Sequence, residues 1–114
     1  MPLSILHRKA GSVTIMDVSG RIVVGEAVKQ LLDSTTELIA KGERDILLNL
    51  AGVAYVDSSG LGALVRCQQS ALASKGRLKL LNVTGTIRDL LRITHLQKLF
   101  EIFDDESAAL DSYR

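Results

Sequence analysis

The chain has 114 residues, of which 46% are hydrophobic and 24% charged, with 9 glycines and 1 proline. This size and composition are typical of one compact globular domain and exclude long disordered segments. The net charge of +1 and the low aromatic content of 4% provide neither a broad basic field nor a stacking surface, so we expect no nucleic-acid partner.

The single cysteine, Cys67, has no second thiol with which to form an internal disulfide, and this favours a reducing compartment. No apolar run approaches the roughly 18–20 residues that are needed to cross a bilayer. The first residues also lack the apolar core of a signal peptide. We therefore expect a cytoplasmic protein that is not inserted directly into a membrane.

The first part of the chain predicts a β-hairpin followed by an amphipathic helix. Apolar residues flank a turn at residues 10–12 and form the two strands, and the hairpin is expected to end at Ser19 and Gly20. Between residues 25 and 40 apolar side chains recur at helical spacing, and a Lys-Gly pair at 41–42 predicts the end of that helix.

The middle of the chain predicts a strand that leads into a second helix. Residues 46–50 are almost continuously apolar, as in a strand buried on both faces of a parallel or mixed sheet. Residues 52–56 are interpreted as a short connection. The second helix is expected to begin near Asp57 or Ser58, because such side chains pair with the free amides of a first helical turn. It is expected to end at the Lys-Gly pair 75–76, and Gln68 interrupts its apolar face, which predicts that part of this face is accessible.

The last third predicts a strand at 78–83, a helix capped by Thr84, a short strand at 99–103 and a terminal helix after the acids at 104–106. The resulting order is strand, strand, helix, strand, helix, strand, helix, strand, helix. Such alternation favours an α/β domain in which helices cover a central sheet.

The sequence favours structural roles over catalytic ones for its histidines and its cysteine. His7 and His95 are far apart and match no metal-ligand spacing, so both are interpreted as solvated or structural histidines. Cys67 lies between Ala63 and Ala71 on the predicted helix, which suits a small buried side chain better than a nucleophile. We expect no catalytic residue, no cofactor and no metal ligand, and hence no enzyme.

Gly60 and Gly62 flank Leu61 in the first turn of the second helix. This motif lacks the ending of a phosphate-binding P-loop and the third glycine of a dinucleotide fingerprint. Its favoured interpretation is steric, since glycine lets another backbone or a partner surface approach closely. A small-ligand or nucleotide-binding domain that uses this turn is kept as an alternative.

Two serines, Ser58 and Ser59, lie at the predicted start of the second helix. A serine in this position is exposed and lies in the positive field of the helix end, which is a natural place for a phosphate. Both serines also have a purely structural interpretation as caps, although Asp57 alone could provide the cap.

At these residues the sequence resembles the STAS family and, within it, the bacterial anti-sigma-factor antagonists. The resemblance centres on Ile46-Leu47-Leu48-Asn49-Leu50, followed by Val53, Val56 and Asp57-Ser58-Ser59-Gly60-Leu61-Gly62. The resemblance extends over nearly the whole chain. Val18-Ser19-Gly20 resembles the end of the family's early strand, and the later helix and its exit are resembled by Gly85-Thr86-Ile87-Arg88-Asp89-Leu90-Leu91 and Leu96-Gln97-Lys98-Leu99-Phe100. The resemblance implies a single STAS-like domain over residues 1–114, with a mixed central sheet of four to five strands and about four helices.

The resemblance also implies a function. In this family the serine after the motif aspartate is phosphorylated by an anti-sigma factor that is also a serine kinase. The unphosphorylated antagonist binds that factor and frees a sigma factor, and a serine phosphatase restores binding. By position, the phosphoacceptor here is Ser58, with Ser59 as second choice.

The partner surface implied by the resemblance includes a second segment. After Gly20 the family commonly has a Glu-Leu-Asp type of loop, whereas this chain has Arg21-Ile22-Val23-Val24-Gly25-Glu26. This difference bears on which partner the chain binds. The predicted partner-binding residues are Asp57, Ser58, Ser59, Gly60, Leu61, Gly62, Arg21, Val23 and Glu26. The alternative within the family is an interaction module without phosphorylation, in a lipid-transport or signalling assembly.

Overall fold

Five strands and four α-helices alternate along residues 3–114, which are the residues described by this computed structural model. Met1 and Pro2, where the predicted domain begins, lie outside them. The strands are β1 (Ser4–Ala10), β2 (Val13–Ile22), β3 (Asp45–Val56), β4 (Arg77–Leu81) and β5 (Ile102–Phe103). The helices are α1 (Glu26–Ala40), α2 (Ser58–Ala73), α3 (Gly85–Ile93) and α4 (Glu106–Asp111), with a 3-10 helix at Gln97–Leu99. The predicted order of elements is confirmed.

The strands form one mixed sheet whose spatial order, β1-β2-β3-β4-β5, is also their order in the sequence. β1 and β2 are the predicted antiparallel hairpin, whereas the other neighbouring pairs are parallel. Each parallel pair is connected by a helix, as parallel strands require. The predicted α/β fold with a mixed central sheet and four helices is therefore confirmed.

Both faces of the sheet are covered where β3 passes through its centre. Ile46 and Leu48 belong to a large apolar core shared with α1, α2 and α3, while Leu47 belongs to a smaller core that includes Ala109 of α4 and Tyr113. These three β3 side chains are fully buried, which confirms the predicted burial of β3 on both faces. The Tyr113 hydroxyl donates a hydrogen bond to the carbonyl of Ile46 and so fixes the C-terminal segment on the sheet.

Two predicted boundaries are wrong, because β2 and β3 are longer than their apolar patterns. The hairpin does not end at Ser19 and Gly20, and residues 52–56 are a strand rather than a connection. The two extensions pair with each other, from Ser19 opposite Gly52 to Ile22 opposite Val56. Each segment therefore supplies the backbone hydrogen-bond partner of the other, and the glycines at residues 20 and 52 interrupt the apolar pattern of the two strands. Glycine is needed at residue 52, because a Cβ atom there would lie 2.6 Å from Cβ of Ser19.

Smaller differences concern the later elements. The predicted strand at 78–83 ends at Leu81, and the one at 99–103 is reduced to Ile102–Phe103, because residues 97–99 form a 3-10 turn. Thr84 precedes α3 as predicted, but its side chain makes no capping hydrogen bond.

Charged side chains connect α4 to the first strand on the second face of the sheet. The guanidinium of Arg8 donates from Nε to Asp17 at 2.7 Å and from Nη2 to Glu106 at 2.6 Å. These hydrogen bonds hold the pKa of both carboxyls below their ordinary values. Arg8 thereby attaches the N-terminal end of α4 to the hairpin.

Candidate partner-binding site at the start of α2

Asp57 is the N-cap of α2, as its sequence position predicts. Its backbone is extended, with φ −91° and ψ −175°, and its Oδ1 atom accepts a hydrogen bond from the backbone N–H of Gly60 at 2.7 Å. An aspartate in this position pairs with an amide that has no partner within the helix and adds a negative charge at the positive helix end. Asp57 is therefore the residue whose side chain caps α2.

The second carboxylate oxygen of Asp57 binds a different part of the chain. Oδ2 accepts a hydrogen bond from the backbone N–H of Val24 at 2.9 Å, and the N–H of Asp57 donates to the carbonyl of Ile22 at 3.3 Å. The hydrogen bond from Val24, followed by that from Gly60, lowers the pKa of Asp57. One ionised side chain thus joins the start of α2 to the segment between β2 and α1.

Ser58 and Ser59 follow this cap. Ser58 is the first residue of α2 and is exposed, while Ser59 is partly buried. Because Asp57 already provides the cap, the Ser58 hydroxyl is not needed for it. Its position at the positive end of a 16-residue helix is electrostatically suited to a phosphate.

The Gly60-Leu61-Gly62 motif combines three different environments. A Cβ atom on Gly60 would lie 2.0 Å from the carbonyl oxygen of Ile22. A Cβ atom on Gly62 would have no neighbour within 4 Å in residues 3–114 beyond its chain neighbours and the adjacent backbone of α2. Leu61 is 6% exposed and belongs to the large core. Gly60 thus allows α2 to lie against the end of β2, which gives it a packing role without any bound nucleotide.

The segment after Gly20 lies next to the start of α2, joined to it by Asp57. Arg21 and Ile22 are part of β2, Val23 is partly buried, and Glu26 is exposed in the first turn of α1. The structure therefore brings the predicted residues Arg21, Val23 and Glu26 to the end of the sheet where Ser58 lies.

Two exposed side chains at this end are absent from the predicted site. Val24 is 71% exposed, and Tyr55 is 43% exposed, with the guanidinium of Arg21 5.1 Å from the centre of its ring. Arg21 and Tyr55 are register partners on β2 and β3. Tyr55 is one of only two tyrosines in the chain and lies two residues before Asp57, a position that could have indicated it. Nothing in the sequence singles out Val24.

Other candidate residues lie apart from this site. His7 and His95 are exposed, whereas Cys67 is buried on α2 beside the hydroxyl of Thr35, at 3.3 Å, and burial raises the pKa of its thiol. The predicted buried role of Cys67 is thus confirmed. Within residues 3–114 no three His, Cys, Asp or Glu side chains are grouped so as to hold a metal ion. No helix in the same range has the length and apolarity to cross a membrane.

The class of domain follows from two features. One is a mixed sheet with helices mainly on one face, and the other is a helix that begins with serines beside the end of a strand. Residues 4–109 match the family model of the STAS domain, and the chain belongs to this family.

Comparison with individual proteins agrees with this assignment. The anti-sigma-B factor antagonist of Staphylococcus aureus is 35% identical over 75 residues, which are 66% of this chain and 69% of the relative. A Thermotoga maritima crystal structure superposes with a TM-score of 0.87 at 24% identity, covering 95% of this chain and 92% of that one. Phosphorylated SpoIIAA of Bacillus superposes with a TM-score of 0.75 at 23% identity, over 97% of this chain and 100% of that one. These structures share the STAS fold.

Proposed function

We propose that this chain is an anti-sigma factor antagonist whose binding is switched off by phosphorylation of Ser58. In this proposal the unphosphorylated chain binds an anti-sigma factor that is also a serine kinase, and so frees a sigma factor. A serine phosphatase restores the binding-competent form. The chain itself is the substrate of these enzymes and catalyses no reaction.

The observation that carries the proposal is the division of tasks between Asp57 and Ser58. The Asp57 carboxylate is occupied by the amides of Val24 and Gly60, so it holds the helix start in place. Ser58 follows directly and is exposed. A kinase can reach this hydroxyl without unfolding the cap, and the partly buried Ser59 is the second candidate acceptor. The 35% identical relative is an anti-sigma-B factor antagonist, and this supports an anti-sigma factor as the proposed partner.

A phosphate is expected to change the free energy of binding more than the free energy of unfolding, which favours a switch that acts at the interface. A phosphate adds a charge of about −1.5 to −2. A charge at an exposed helix end changes stability by about 0.3–1 kcal/mol, against a total of roughly 5–15 kcal/mol for a domain. Like charges brought together in an interface cost several kcal/mol, and about 1.4 kcal/mol changes affinity tenfold. Phosphorylation is therefore expected to block docking while leaving the fold intact.

The partner surface is proposed to contain the exposed groups around Ser58. Arg21 and Tyr55 form a cation–π pair there, and Val24 is 71% exposed. Arginine and tyrosine are frequent energetic centres of protein interfaces. Gly62 and Glu26 extend this surface, while Gly60 and Leu61 support it from within.

The test combines phosphate mapping with binding. The full chain, Ser58→Ala and Ser59→Ala are incubated with ATP and the anti-sigma kinases of the source genome, and phosphate is located by mass spectrometry. We expect incorporation into the full chain and Ser59→Ala, and none into Ser58→Ala. Binding of each variant to the anti-sigma kinase is then measured by calorimetry. Ser58→Asp is expected to weaken the affinity for this kinase at least tenfold. Equal affinities of the full chain, Ser58→Ala and Ser58→Asp for the partner would contradict the switch.

A further inference from the structure

A cleft of about 180 Å³ lies between the second half of α2 and the segment that leads into β5. Its floor includes the buried side chains of Leu78 and Phe100. Two leucines from different elements line it, Leu72 on α2 and Leu99 in the 3-10 turn, and they are 59% and 45% exposed. One aliphatic side chain of a partner would fit into the cleft and cover both leucines.

A hydrogen bond joins the two walls of the cleft. The side-chain Nε2 of Gln68 donates to the carbonyl of Leu99 at 2.6 Å. This bond fixes the 3-10 turn against α2, so binding would not have to order this wall first. The same side chain has a buried Oε1 atom that finds no hydrogen-bond partner among residues 3–114. Gln68 is the residue that interrupts the apolar face of α2, and the accessible region predicted from that interruption is this cleft.

The charges around the cleft are mainly positive. Lys98 lines it and forms no ion pair among residues 3–114, whereas Arg77 pairs with Asp45 and Lys79 with Glu101. Residues 58–77, which include all of α2, contain no aspartate or glutamate. The uncompensated charge beside the leucines is therefore that of Lys98, and it favours a carboxylate over an ammonium group.

We propose that this cleft docks an acidic segment of a partner protein. An aliphatic side chain of the segment inserts between Leu72 and Leu99, and a neighbouring carboxylate pairs with Lys98. The cleft is separate from the phosphorylation site, since Leu72 lies 14 residues beyond Ser58 on α2, or about 21 Å along the helix axis. Binding here therefore depends neither on the state of Ser58 nor on the function proposed above.

The probe is a library of ten-residue acidic peptides with one central leucine, titrated into the isotopically labelled full chain and followed by NMR. Matched libraries replace the central leucine by alanine or all acids by lysine. We expect selected acidic peptides to shift the amides of Gln68, Leu72 and Leu99, with at least tenfold weaker binding for both matched libraries. Leu72→Ser and Lys98→Glu should each reduce affinity at least tenfold. Leu6→Ser, which changes an exposed leucine on β1, is the control and should bind normally.

Three outcomes would overturn the proposal. One is that no library member shifts these amides, and another is that acidic and basic libraries bind equally. A third is that the chain binds vesicles of anionic lipid through the same amides while it ignores the peptides. That result would assign the leucines and Lys98 to a membrane surface instead.

Discussion

The carboxylate of Asp57 and the backbone N–H of Val24 are 33 residues apart in the sequence and 2.9 Å apart in the structure. This hydrogen bond makes the end of the β2 to α1 segment and the start of α2 one unit. Any partner that docks at Ser58 therefore meets a surface whose two parts are already joined.

Replacing Asp57 by alanine is expected to release both parts of this surface. The amides of Val24 and Gly60 lose their acceptors, so both should exchange with solvent faster, and the melting temperature should fall. Asp57→Asn keeps one acceptor oxygen and should give an intermediate effect. Native-state hydrogen exchange by NMR measures this at each amide.

Asp105→Ala provides the matched control, because Asp105 caps α4 through the amide of Ala108 at 2.9 Å. Its effect on exchange should be confined to α4. Unchanged exchange at Val24 in Asp57→Ala would show that the hydrogen bond does not hold the segment.

Gly60→Ala and Gly62→Ala should change stability in opposite directions. At residue 60 a methyl group would lie 2.0 Å from the backbone carbonyl of Ile22, so α2 must move away from β2. Such overpacking typically costs about 1–3 kcal/mol or more. At residue 62 the methyl group meets no other element of the described chain within 4 Å, and alanine should stabilise the helix by up to about 1 kcal/mol. Urea unfolding of both variants measures the difference, and a stable Gly60→Ala would refute the close packing.

A negative charge on α2 should have an effect that depends on its position. Ser58→Asp places it at the positive end of the helix, where we expect unchanged or higher stability, by up to about 1 kcal/mol. Ser70→Asp places the same charge on an exposed residue of the last turn, where it is expected to destabilise by a similar amount. Thermal unfolding at low ionic strength tests this. A large loss of stability in Ser58→Asp would contradict the proposed switch by obstruction, because the added charge would then unfold the domain.

Stability should depend on pH through the Arg8 contacts. The pKa values of Asp17 and Glu106 are lowered from 3.8 and 4.5 by hydrogen bonds from Arg8. Their stabilising effect is complete above the values of the unfolded chain. It is lost as the pH falls through the lower values of the native state, because the unfolded chain then binds more protons. The free energy of unfolding should therefore decrease below about pH 4.5.

The variant Arg8→Met is expected to flatten this dependence, since neither carboxyl then has its cation. Arg66→Met removes one positive charge from an exposed position on α2 and is the control for net charge. Urea unfolding between pH 2.5 and pH 6 measures the slopes. Equal slopes for Arg8→Met and the unmodified chain would rule out Arg8 as their cause.

The parts of the fold that depend on local pattern could be predicted from the sequence. The start of α2 follows from Asp57 and the serines after it, and the burial of β3 follows from residues 46–50. The extensions of β2 and β3 could not be predicted, because each is stabilised by pairing with a distant segment. The same holds for the site. Ser58 is indicated by its own position, whereas Val24 takes part through a backbone N–H that any residue except proline would supply.

The strand order also matters while the chain is being synthesised. Every strand lies beside the one that precedes it in the sequence, so each finds its pairing partner already present when it leaves the ribosome. The large core can thus grow outward from the hairpin in the order of synthesis. The second face differs, because Tyr113 and α4 complete its core and Glu106 of α4 pairs with Arg8 of β1. That face of a nascent chain therefore stays uncovered until residues 106–113 have emerged, much later than the hairpin on which they pack.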